Sequence, residues 1–129
     1  MQDAWQRAFA LFNSARFFDA HEAFEDLWRE APHDAPLKQH LQGLVQLAVA
    51  FHHQSTGNLE GACSVLERAL RNLNGAEESF PELDLVGLRA ELNPWRDYLV
   101  KNLQKPEGPA PELPKLLLRN STNPRFDWR

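Results

Sequence analysis

The densest chemistry in the 129-residue chain lies in Asp19-Ala20-His21-Glu22-Ala23-Phe24-Glu25-Asp26-Leu27-Trp28-Arg29. His21 and Glu25 are four apart, which puts an imidazole and a carboxylate on one helix face. Trp28, seven beyond His21, continues that stripe, and Glu22 sits about 100° around from it. A second stripe follows in an otherwise apolar stretch, where Gln42, Gln46 and His53 share one side and Gly43 and Ala50 leave room for close approach. Polar groups in such a stretch need partners, and the natural ones are His21, Glu22 and Glu25. Three chemistries fit. The first is a hydrogen-bond network that fixes helix packing and binds nothing, with Glu22 and Glu25 facing inward. The second is a divalent metal held by His21, Glu22, Glu25 and His53. The third is a small-ligand or hydrolytic pocket with His21 and Glu25 as an acid–base pair. The spacing is His-Glu-x-x-Glu, neither His-Glu-x-x-His nor the Glu-x-x-His of di-iron bundles. No nucleophile or oxyanion donor is identifiable, so no catalytic residue is assigned and the network is the leading reading.

The elements that must position these residues read as helices. Trp5, Ala8, Phe9 and Phe12 recur at helical spacing after a capping Asp3. A helix over 17–30 stops at Ala31-Pro32, because a proline disfavours helical geometry in the residue before it. Asp34 is expected to cap the next helix, with Pro36 in its first turn and the apolar run extending to about Gln54. Asn58 is expected to cap a fourth helix, which Asn74-Gly75 closes. Two more short helices are expected, one after Asp84 and one starting at Asn93-Pro94. No segment alternates with period 2, the strand signal. Residues 15–28 echo residues 57–70 at an offset of 42, matching Ala20 with Ala62 and Phe24 with Leu66. The fold class is therefore all-α. It is expected to be a compact bundle of two helical hairpins, packed in tetratricopeptide fashion, with one or two short capping helices and an extended C-terminal tail. At the non-matching positions His21 faces Cys63 and Glu22 faces Ser64, so packing alone does not require the polar pair.

Composition narrows the function. Residues 1–104 carry 9 Lys/Arg against 15 Asp/Glu, a net of −6, whereas residues 105–129 carry 5 against 3, a net of +2. The boundary separates a helical domain (1–104) from a Pro-rich tail (105–129) holding five of the nine prolines. The mild acidity argues against nucleic acid as a main partner. The single Cys63 excludes an intrachain disulfide framework, and no apolar run reaches the ~20 residues of a membrane span. A soluble, reducing, cytoplasmic setting is the resulting expectation. His33 and His40 read as surface residues and Cys63 as a small apolar one. The apolar tail residues Leu116, Leu117, Phe126 and Trp128 are expected to pack back on the body, or else onto a second subunit or another protein.

The run Arg16-Phe17-Phe18-Asp19-Ala20-His21-Glu22 with Glu25 and Trp28 resembles the signature of the domain-of-unknown-function family numbered 309. So does Gln42-Gly43 through His53, followed by Gly57-Asn58-x-x-Gly61-Ala62. The resemblance covers about residues 5–73 and implies a small prokaryotic helical bundle with no assigned activity. It singles out His21, Glu22, Glu25, Trp28, Gln42, Gly43, Gln46, Asn58, Gly61 and Ala62. Ala15 stands where that family commonly has glycine, so the turn after the first helix is expected to depart from the family's. These readings converge on a non-enzymatic interaction or structural module, with a metal- or ligand-binding bundle as the alternative.

Overall fold

In the computed structural model, which describes residues 2–104 and 108–119, five α-helices follow one another with short connections. They are α1 (Gln2–Asn13), α2 (Phe17–Glu30), α3 (Pro36–Ser55), α4 (Leu59–Asn72) and α5 (Leu85–Asn102), with a single 3₁₀ turn at Ala76–Glu78. Each helix packs on the next, and α3 packs extensively on both α2 and α4. This is the arrangement of two stacked hairpins plus a closing helix. Among the described residues there is no strand, only one isolated antiparallel bridge, Leu83 to Leu118.

The apolar periodicity explains the layout. Phe17, Ala20, Phe24 and Leu27 give α2 one buried side, whereas α3 is buried around most of its circumference from Leu41 to Phe51. Edge-on aromatic pairs tie the layers together, Phe12 on Phe17 at 5.2 Å and Phe51 on Trp95 at 5.0 Å between ring centres. The internal echo is structural: Ala20 and Ala62 are fully buried, and Phe24 and Leu66 occupy equivalent core positions.

Several local expectations are corrected. Asp3 lies inside the first turn of α1, not ahead of it. Ala35, not Asp34, is the N-cap of α3, with no side-chain cap bond and Pro36 at the helix start. Asn93-Pro94 starts no new helix, because α5 runs through Pro94 unbroken. An interior proline removes one hydrogen bond and costs about 3 kcal/mol. Here it stands on the exposed side, while Leu92, Trp95 and Leu99 on the other side are buried to 1% exposure or less. Burying three large side chains at ~1.5–3 kcal/mol each outweighs the local stop signal. Ala15, in the turn after α1, adopts the left-handed conformation with φ +63°.

The tail from Glu112 to Arg119 is extended and docks on the body of its own chain. Leu116 is 4% exposed, and its N–H and carbonyl both bond the Asn13 side chain, at 2.7 and 2.9 Å. Leu117 and Leu118 remain exposed. Phe126 and Trp128 lie outside the described residues.

Candidate functional site

The polar residues of α2 form a row on its solvent-facing side. His21 Nε2 lies 3.7 Å from Glu25 Oε1, and Arg29 Nη2 lies 3.3 Å from the same oxygen. Arg29 also bonds Asp26 at 2.9 Å. The expectation that Glu22 and Glu25 face inward is overturned, since Glu22 is exposed and the Glu25 side chain is 36% exposed. The physical reason is the period of the helix. Phe17, Ala20, Phe24 and Leu27 already fill the core side, which leaves 18, 21, 22, 25 and 29 on the other.

Two residues of the second stripe bond towards α4 rather than towards His21, Glu22 or Glu25. Gln46 Oε1 accepts a 2.8 Å hydrogen bond from Asn72 of α4. His53 Nδ1 lies 3.3 Å from Asn58 Nδ2, and its carbonyl accepts from the Asn58 N–H at 2.8 Å. Gln42 lines an open surface depression with Trp28, Lys38 and Asn72. Gln46 and His53 therefore bond towards α4 and its cap, whereas Gln42 shares its depression with Trp28 of α2 as well as with Asn72. Trp28 has a separate partner: Lys38 Nζ sits 4.1 Å above its ring and donates to its carbonyl at 2.6 Å, closing the corner between α2 and α3. Among the described residues, no group of three or more His, Cys, Asp or Glu side chains is gathered as metal ligands. His21, Glu22, Glu25 and His53 are thus not brought together as such a set.

What α3 does bring to the His21 row is His52. The Phe18 ring, 50% exposed, lies 5.7 Å from His21 and 5.4 Å from His52 between ring centres. His53 follows 6.3 Å beyond His52. The face thus reads Glu25, His21, Phe18, His52, His53, a solvent-open strip across two helices. Phe18 and His52 were missed, although the signal was present. Phe18 precedes His21 by three and Glu25 by seven, which puts it on the polar stripe and off the core side.

The signature residues further along have structural roles. Asn58 caps α4 by accepting the Gly61 N–H at 3.0 Å. A Cβ at Gly61 would meet the Asn58 side chain. Gly43 lets α3 approach α4 so closely that a Cβ there would stand 2.7 Å from Leu73 Cγ. Ala62 is fully buried.

Two expectations about single residues divide. His33 is exposed, as read, but His40 is buried to 4% exposure and its Nδ1 lies 2.6 Å from Ser79 Oγ. Ser79 and Phe80 arrive from the segment after α4 to cover it, which no spacing near His40 announces. Cys63 packs half-buried against the core, and burial, with the Glu67 carboxylate second, pushes its thiol up. A raised thiol is a poor nucleophile at neutral pH. The strongest electrostatic coupling lies elsewhere. The Arg89 guanidinium bonds both oxygens of Glu77 and holds that carboxyl down at about 2.

A small all-helical bundle, with an open histidine–aromatic face and a signature that mostly maintains helix approach, is the class of protein these features define. Residues 5–65 match the family described as "Domain of unknown function (DUF309)". The chain is 28% identical over 81 residues to an "Uncharacterized protein" of Aquifex aeolicus (strain VF5), covering 63% of this chain and 24% of that one. It is 32% identical over 75 residues to "Uncharacterized protein YpuF" of Bacillus subtilis (strain 168), covering 57% of this chain and 42% of that one. It thus spans less than half the length of either curated relative. Among the described residues, no helix is long and apolar enough to cross a membrane.

Proposed function

We propose that the chain is a non-enzymatic interaction module that presents the strip from Glu25 through Phe18 to His53 to a protein partner. The observation that carries this is the placement of Phe18. A phenylalanine held half in solvent between two histidines leaves apolar area uncovered beside groups that donate and accept hydrogen bonds, the composition of an interface centre. The depressions elsewhere on the surface are open to solvent. A fragment-sized match inside longer relatives also suits a module joined to other segments. A bacterial cytoplasmic setting, and a partner or second subunit reached through the tail, belong to the same proposal.

The test is crosslinking capture in the source cell with the full chain, comparing wild type, Phe18→Ala and the distant exposed control Val86→Ala. A partner retained by wild type and Val86→Ala, and lost with Phe18→Ala at unchanged melting temperature, is expected. Identical capture by all three would refute the reading. A divalent cation held at the His21–Glu25 pair is the alternative proposal, on that 3.7 Å approach alone. Elemental analysis separates the two: stoichiometric metal that disappears in His21→Ala would replace the docking reading.

A further inference from the structure

The docked tail is recognised mainly through its backbone. Trp95 Nε1 donates to the Glu112 carbonyl at 2.9 Å, and Glu91 Oε1 accepts the Lys115 N–H at 3.1 Å. The Asn13 side chain exchanges two bonds with Leu116, as a paired strand residue would. The Asp84 N–H then donates to the Leu117 carbonyl at 2.8 Å, and the Arg119 N–H to the Glu82 carbonyl at 2.6 Å. Side chains alternate: Pro114 and Leu116 are buried, Lys115 and Leu117 exposed. Backbone bonds for affinity and alternate side-chain seats for selection are the features of strand-type peptide recognition. The body has built a groove whose ligand class can be read from its occupant, an extended segment with proline and leucine two apart.

We infer that this groove is a peptide-docking site for an extended Pro-x-Leu segment, and that the segment it takes in exchange for its own is the tail of a second copy of the chain. The inference deepens the reading of the chain as an interaction module but uses a different face from Phe18. Three observations point to the second copy. Its tail is the one ligand whose fit is visible. The side-chain contacts join residues 17 to 103 positions apart, so none depends on groove and tail being neighbours in sequence. The +2 of residues 105–129 is attracted to the −6 of residues 1–104 of another copy as of its own, against the repulsion of two chains each at −4. Closed and exchanged forms make the same contacts, so the tether decides between them. A tethered tail competes at an effective concentration on the order of millimolar, and closed chains therefore dominate in dilute solution.

The experiment removes that advantage with two complementary full-length variants. Leu116→Asp spoils the tail and leaves the groove intact. Asn13→Ala with Glu91→Ala spoils the groove and leaves the tail intact. Each alone is expected to be monomeric by light scattering, and an equal mixture to form a 1:1 heterodimer. A fluorescent peptide of residues 110–119 is expected to bind Leu116→Asp at least ~10-fold more tightly than wild type, whose groove is occupied. Two variants that keep their helical circular dichroism and stay monomeric when mixed would overturn the inference. Peptide binding without a heterodimer would overturn the second copy as occupant. Should Leu116→Asp lose its helical signal, donor- and acceptor-labelled wild-type chains mixed at ~1 mM take its place, and absence of energy transfer would overturn the exchange. Loss of the Phe18-dependent partner would leave all these readouts unchanged, so the two proposals fail separately.

Discussion

Replacing Gly43 by alanine should destabilise the protein even though alanine is the better helix former. A Cβ built on Gly43 would stand 2.7 Å from Leu73 Cγ, 2.9 Å from Leu73 Cδ2 and 3.2 Å from the Asn72 carbonyl carbon. Favourable carbon contacts lie at ~3.5–4.0 Å, and Leu73 is 1% exposed, so its side chain has no solvent side to swing into. Overpacking of this kind costs about 1–3 kcal/mol. Alanine returns about 1 kcal/mol of helix propensity, which leaves a net loss of about 0–2 kcal/mol. For a chain of this size that is a fall in Tm of up to about 8 °C, read by circular dichroism. The double variant Gly43→Ala/Leu73→Ala makes the reasoning strict. Leu73→Ala alone should cost about 2–5 kcal/mol. With alanine at 43, part of the vacated space is filled, so the double variant should cost at least ~1 kcal/mol less than the sum of the singles. A Gly43→Ala chain that melts higher than wild type, or strict additivity in the double variant, would refute the close-approach account.

Other outcomes follow from the same geometry. Ala15 holds φ +63°, which costs a non-glycine residue about 1–2 kcal/mol. Glycine relieves that but loosens the unfolded chain by about 0.4–1 kcal/mol, so Ala15→Gly should gain about 0.5 kcal/mol in urea unfolding; a loss would show that the alanine methyl packs. Glu77 is held at about 2 by Arg89, below the usual ~4.3. A depressed carboxylate contributes stability that is present above its unfolded value and lost as pH falls from about 4.3 towards 2. The side chain is 49% exposed, so screening limits the contribution to about 1 kcal/mol or less. Glu77→Gln should lose that amount at pH 7 and flatten the fall in stability between pH 5 and 2, and an unchanged acid profile would contradict this. Asn58→Ala should cost about 1 kcal/mol through its cap, whereas His21→Ala, a half-open pair, should cost under ~0.5 kcal/mol; the reverse order would mean that His21 supports the fold.

What the sequence made legible was local. The bounds of α2, the Asn58 cap and the αL glycine at 75 each depend on side chains within a few residues, and the structure keeps all three. Signals that lose to distant partners were misread. Pro94 announces a helix start, but the burial of Trp95 against Phe51, 44 residues earlier, carries α5 through it. His40 beside a turn reads as exposed until Ser79 and Phe80 fold over it. Periodicity correctly placed Gln42, Gln46 and His53 on one side of α3. It says which residues share a face but nothing about which neighbour that face meets, and α3 has a neighbour on either side.

The family signature separates along the same line. Gly43, Asn58, Gly61 and Ala62 act through distances that any stable version of this bundle would need: a close helix crossing, a cap, room for that cap, a filled core. Gln46 joins them through its bond to Asn72. Trp28 belongs here too, since its ring and carbonyl hold Lys38 at the corner between α2 and α3. His21 and Glu25 do not belong. Their contact is 3.7 Å long and open to solvent, and the aligned positions in the second hairpin carry Cys63 and Glu67, so the hairpin packs without an imidazole there. The chain nonetheless sets His21 beside Phe18 and brings His52 to the same ring from another helix. On the docking reading proposed above, a partner would remove this apolar area and the two imidazoles beside it from water.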